Sequence, residues 1–203
     1  MKRFPAQYLG AFSVFKKLNT PARVQDFVET FPINFERKGS TCRSPLTTLR
    51  VGTAHCIEGA LLAAAAFWYH GERPFLLDLK TGRGDESHVV ALFKRGGRWG
   101  AVSKTNHAVL RYREPVYVSP RELTMSYFHE YFLDNGRKTL KSHSAPFDLL
   151  LYKRDWLTSK KDLWDLIDKL DRAPHFQIVP AGTKLRPADI IERRAGKITQ
   201  WKR

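Results

Sequence analysis

Three residues of this 203-residue chain have the types and the order that nucleophilic chemistry needs: Cys56, His88 and Asn106. Cys56 opens a small-residue run, AHCIEGALLAAAAFWYHG, whose composition favours a helix, and His88 lies in the strand-like segment DESHVVALFKRGGRWGAV. The free first-turn N–H groups and the positive end of a helix dipole favour thiolate over thiol, so a cysteine placed there gains acidity and reactivity. An imidazole on a later strand can take the thiol proton and return one to a leaving group, and an amide can orient that imidazole. The chemistry is acyl transfer through a thioester. Each residue also has a plainer reading: a buried core cysteine, a hydrogen-bonded histidine at a strand end, and an asparagine that turns the chain.

The neighbours His55 and His107 have the same chemistry, but adjacent positions on a helix or strand point elsewhere, which favours His88. Asp78 and Asp85 are reserve choices for the orienting group. Arg111 and Arg113 share a strand face and can hold a carboxylate or phosphate, although such pairs more often form structural ion pairs.

The elements that must position these groups follow from pattern. Asn19 to Phe31 reads as an amphipathic helix with Thr20 as cap and Pro21 in its first turn. Pro32 to Arg50 reads as a polar loop and a short helix leading into a long buried helix over Ala54 to His70. Phe75 to Leu79 is a strand, and HVVALFKR and RWGAVSK form a hairpin turning at Gly96-Gly97. AVLRYREPVYVS continues extended. Ser119 caps a helix, PRELTMSYFHEYF, expected to end near Asn135-Gly136 with its aromatic residues in the core. A strand over FDLLLYK and an amphipathic helix around KKDLWDLIDKLDR precede short elements or a basic tail.

Length and 42% hydrophobic content fit one globular domain. No apolar stretch reaches the roughly 18 residues of a membrane span, and the N-terminus lacks a signal-peptide core, so a cytoplasmic location is expected. Cys42 and Cys56 cannot make a disulfide framework, and a single bridge between them would consume the nucleophile. No C-x-x-C or H-E-x-x-H spacing calls for zinc and no phosphate loop or dinucleotide fingerprint is present, so neither metal nor cofactor is expected. The formal charge of +15 is diffuse: residues 151–203 carry +6, and only KLRPADIIERRAGKITQWKR is locally dense. Such a surface is solvated in its plain reading and otherwise meets an anionic partner, nucleic acid included.

The order of helix-borne Cys56, strand-start His88 and Asn106 after the second hairpin strand resembles the transglutaminase-like superfamily within the papain-like cysteine fold. The resemblance covers about Thr53 to Asn106, a quarter of the chain. It implies an α+β fold with a central Cys-bearing helix packed on an antiparallel sheet, occupying residues 1–175 with a basic C-terminal extension over 176–203. It also implies a Cys56–His88–Asn106 constellation acting on a peptide or protein amide, by hydrolysis or by transfer to an amine. Family members commonly carry aspartate at the third position, so Asn106 is a departure that papain-like proteases share. The alternative is an inactive member of the fold that binds a peptide or an anion.

Overall fold

A computed structural model describes residues 3–37, 39–152 and 155–195. Two short 3₁₀ turns, Ala6–Tyr8 and Ser13–Lys17, lead into α1 (Pro21–Glu29), α2 (Pro45–Val51) and α3 (Cys56–Tyr69). Strands β1 (Phe75–Thr81), β2 (His88–Arg95), β3 (Arg98–Val102) and β4 (Arg113–Tyr117) precede α4 (Pro120–Phe128). Then come β5 (Leu140–Ser144), β6 (Phe147–Asp148), α5 (Trp164–Asp171), β7 (His175–Gln177) and α6 (Ile190–Ala195). The class is α+β, and every strand pair is antiparallel, in the order β4-β3-β2-β1-β5-β7 with β6 also on β1. Among the described residues, no helix is long and apolar enough to cross a membrane.

Local chemistry explains the element ends. Thr20, Ser44 and Ser119 each accept a hydrogen bond from the backbone N–H three residues on, and each is followed by a proline whose fixed φ suits a first helical turn. Gly96 and Gly97 both have positive φ (56° and 76°), the geometry of the tight turn that pairs Arg95 with Arg98.

The sheet alternates between two cores. On one face Leu76, Val89, Ala91, Phe93 and Val102 pack with α3, which is buried from Ile57 to Trp68. On the other, Leu77, Leu79, Val90, Leu92 and Ala101 pack with Leu123, Tyr127 and Phe128 of α4. Each such fully buried aliphatic side chain contributes about 1.5–3 kcal/mol, which fixes α3, and therefore Cys56, against the sheet.

Three expected secondary-structure elements are corrected. The helix beginning at Pro120 ends at Phe128 rather than near Gly136. FDLLLYK is strand only at Phe147–Asp148, after which the chain turns to bury Leu149. AVLRYREPVYVS is strand only from Arg113, because the preceding residues loop back over the end of β3. The boundary drawn after residue 175 falls inside β7, which pairs with β5. Beyond it Ile178 is buried in the second core, and Ala188 N–H donates to the Gly136 carbonyl (2.8 Å). Residues 196–203 of the basic terminal stretch lie outside the described residues.

Candidate active site

Cys56 is the first residue of α3, and the segment before it is pinned. Ala54 bridges Ile33, with Ala54 N–H donating to the Pro32 carbonyl and Asn34 N–H to the Ala54 carbonyl (both 3.1 Å). The thiol is half-buried and lines two cavities, of about 440 and 180 Å³. His55, His88, Asn106 and His107 line the larger one with it. Cys42 is a free, fully buried thiol elsewhere in the core, pushed up to about 12 by desolvation and by the Glu58 charge.

His88 is close enough to the Cys56 thiol to help lower its pKa, and its Nε2 lies 2.8 Å from Ser103 Oγ. Ser103 Oγ–H itself donates to the Leu110 carbonyl at 2.7 Å. A hydroxyl has one proton, so toward His88 the oxygen can only accept. The neutral ring therefore carries its proton on Nε2, and Nδ1, with a free lone pair, is the nitrogen left to serve the sulfur. Ser103 is clamped in turn: its N–H donates to Gln25 Oε1 and its carbonyl accepts from Gln25 Nε2, both at 2.9 Å.

This arrangement needs the chain after β3 to cross the first turn of α3 closely. Gly59 permits it, since a Cβ there would fall 2.3 Å from Lys104 Cβ. Lys104 is fully buried and donates to the Phe31 carbonyl (2.6 Å), and desolvation lowers its pKa.

The orienting contact expected of Asn106 is thus made by Ser103. Asn106 lines the larger cavity, with no hydrogen bond to His88 among the described contacts. The reserve carboxylates are engaged elsewhere, Asp78 with His175 (3.1 Å) and Asp85 with Thr139. Arg111 pairs with Glu29 (2.9 Å) and Arg113 with Glu130, the plainer of their two readings.

His55 is the residue the sequence reading set aside. It caps α3 in an extended conformation (φ −104°, ψ −171°), and its Nδ1 lies 4.0 Å from Cys56 Sγ. Its Nε2–H donates to the Thr41 carbonyl at 2.7 Å, so here too Nδ1 faces the sulfur. Two carboxylates flank that Nε2, Glu36 at 3.4 Å and Glu58 at 3.8 Å. Glu58, fully buried, also accepts from His55 N–H (3.2 Å), Thr41 Oγ1–H (2.7 Å) and Arg43 N–H (3.2 Å). A glutamate three residues after a helix cap is the capping-box signal that could have drawn attention to His55. Glu36 has φ +49°, a left-handed backbone that is rare outside glycine and clusters at functional sites.

The electrostatics follow from these contacts. Burial pushes the Cys56 thiol up, but the hydrogen bonds from His55 and His88 and their charges outweigh it and bring the pKa down to about 6. Burial pulls His55 down, but the bond to Cys56, the charges of Cys56 and Glu58, and the Thr41 carbonyl raise it to about 9. Between those values the pair is thiolate and imidazolium. Among the described residues, no group of three or more His, Cys, Asp or Glu is arranged to hold a metal ion. In comparisons with known proteins, no family model matches the chain and no curated protein matches its sequence.

Proposed function

We propose that the protein is a cysteine-dependent acyl-group enzyme of the transglutaminase-like, papain-like kind, acting on an amide bond by hydrolysis or by transfer to an amine. The observation that carries this reading is a helix-N-terminal thiol served by two imidazoles whose Nε2–H groups are both fixed by acceptors. The order of Cys56 on α3 and His88 at the start of β2 supports the finer fold assignment, with Ser103 in the orienting role.

The roles follow from position. The Cys56 thiol gives its proton to His88 Nδ1, the thiolate attacks the acyl carbonyl, a C–S bond forms, and the oxyanion is met by the Cys56 N–H at the helix start. The C–N bond breaks as the proton held at His88 Nδ1 passes to the leaving nitrogen. Water or an amine then attacks the thioester, gives its proton to Nδ1, and the thiolate departs. His55 keeps its proton throughout and holds the sulfur's negative charge.

The deciding measurement is the iodoacetamide alkylation rate of Cys56 from pH 4 to 10, with Cys42 as the silent comparator and His88→Ala as control. Fast alkylation that titrates near pH 6 supports the reading. His88→Ala is expected to lower single-turnover acylation by an activated ester on the order of a thousandfold. A slow reaction titrating near an ordinary thiol, unaffected by His88→Ala, refutes the enzyme and leaves a binding module.

A further inference from the structure

The smaller cavity at Cys56 is bounded by Ile57, Val89, Ile167 and Leu170, with Ser87, Asp78 and Asp171 completing it. Ile57, Val89 and Leu170 are buried, so the wall is firm and mostly aliphatic. Half of that apolar wall comes from α5, which lies outside the Thr53 to Asn106 stretch where the family resemblance resides. We propose that this cavity receives the acyl chain of the substrate, and that the chain is an uncharged aliphatic group of about six carbons. The proposal rests on Cys56 being the nucleophile.

Three observations assign the acyl chain to this side. Cys56 lines both cavities, so a carbonyl carbon bonded to its sulfur has one substituent toward each. His88 lines only the larger one, which is also the more polar, with Asp85, Glu86 and Asn106 in its wall. The proton for the leaving group comes from His88, so the leaving and entering groups occupy the larger cavity and the acyl chain takes the other.

The chemistry of the wall selects the chain. Asp78 is already paired with His175 at 3.1 Å and Asp171 with Lys80, so a cationic chain would have to displace a resident partner. An anionic chain would meet two carboxylates at the cost of its own hydration. An apolar chain leaves both pairs intact and gains the transfer free energy of each methylene, about 0.8 kcal/mol or fourfold in rate where the gain is expressed in the transition state. A dry apolar cavity of about 150 Å³ holds a six-carbon ring, so 180 Å³ accepts a chain of about that size, and a longer chain extends past it into solvent without further gain.

The test uses the full chain and p-nitrophenyl esters of acetic, butanoic, hexanoic, decanoic and 6-aminohexanoic acids. The thiolate forms a C–S bond to the carbonyl carbon, the C–O bond breaks, and p-nitrophenolate leaves with the electron pair. Single-turnover nitrophenolate release gives the rate, and peptide mass spectrometry confirms the acyl adduct on Cys56. Acylation should rise about fourfold per methylene from acetate to hexanoate and level off by decanoate. The hexanoate-to-acetate ratio should drop about tenfold in Ile167→Phe and in Leu170→Phe, two independent ways of filling the cavity. A series that is flat, or that favours 6-aminohexanoate over hexanoate, overturns the assignment while leaving the nucleophile intact. If iodoacetamide instead shows an ordinary thiol titration in the wild-type protein, the nucleophile reading fails and the acyl cavity falls with it.

Discussion

On the sheet side of the Cys56 sulfur an imidazole is held by neutral groups: His88 by Ser103, and Ser103 by Gln25 and Leu110. On the loop side the imidazole sits among charges, His55 with Glu36 and Glu58 around its Nε2. The sheet-side residues His88 and Ser103 are buried, whereas His55 and Glu36 are partly open to solvent. The difference separates two tasks that one histidine commonly performs. A ring with neutral partners can gain and lose a proton without upsetting its surroundings, which suits proton transfer. A ring flanked by carboxylates is held as a cation, which suits lowering the thiol pKa.

The strongest way to break the comparison is to remove the hub of the loop side. Glu58→Ala leaves the half-buried His55 N–H, Thr41 hydroxyl and Arg43 N–H without their acceptor and takes the charge away from Arg43 and His55. A loss of about 2–4 kcal/mol in urea unfolding is expected, because three donors lose their acceptor where water only partly replaces it. A loss below about 1 kcal/mol would mean that the 34–43 loop is held by other contacts.

His55→Asn sharpens the division of labour, since asparagine still caps a helix but brings no cation. The thiol pKa should rise from about 6 toward its ordinary value, so acylation at pH 7 falls about tenfold to a hundredfold and recovers near pH 9.5. The pH profile is the signature. In the wild-type chain the rate climbs through about pH 6 as the thiol ionises and declines through about pH 9 as His55 loses its proton. His55→Asn should lose the alkaline decline. The linkage has the same sign: the raised pKa of His55 stabilises the fold fully below its ordinary value of 6.5, and that contribution disappears as pH rises through about 9. A variant retaining both limbs would transfer the cationic role to His88.

Much of this arrangement is legible in the sequence, and the missed parts share a cause. The Gly96-Gly97 hairpin, the caps at Thr20 and Ser119, and a cysteine at the start of an alanine-rich helix all depend on residues near one another in the chain. β5 was invisible because its sequence, LKSHS, places serines and a histidine where strands usually bury aliphatic residues, and Ser144 Oγ accepts from the Asp78 N–H instead. His55 was set aside because neighbouring helical residues diverge, yet it is the extended cap and Cys56 the first helical residue. That change of backbone state brings both side chains together. Ser103 has no local pattern at all. Its role exists only because β3 ends beside β2 and Gly59 lets the following chain cross α3.

Ser103→Ala probes that last point and should have the smallest effect. It removes the oxygen that accepts from His88 Nε2–H but leaves the two backbone bonds to Gln25, so the chain stays in place. Two neutral hydrogen bonds are lost, to His88 and to the Leu110 carbonyl, but only the first bears on the imidazole, about 1 kcal/mol net, or on the order of fivefold in the acylation rate. Ser103→Thr, which keeps the hydroxyl, should restore most of it, and the acid limb near pH 6 should stay put, because the His55 contacts that keep a cation beside the sulfur are untouched. A shift of that limb toward the ordinary thiol range would show that the tautomer fixed by Ser103, and not the charge on His55, sets the acidity of Cys56. The neutral and charged sides of the site would then have to exchange their roles.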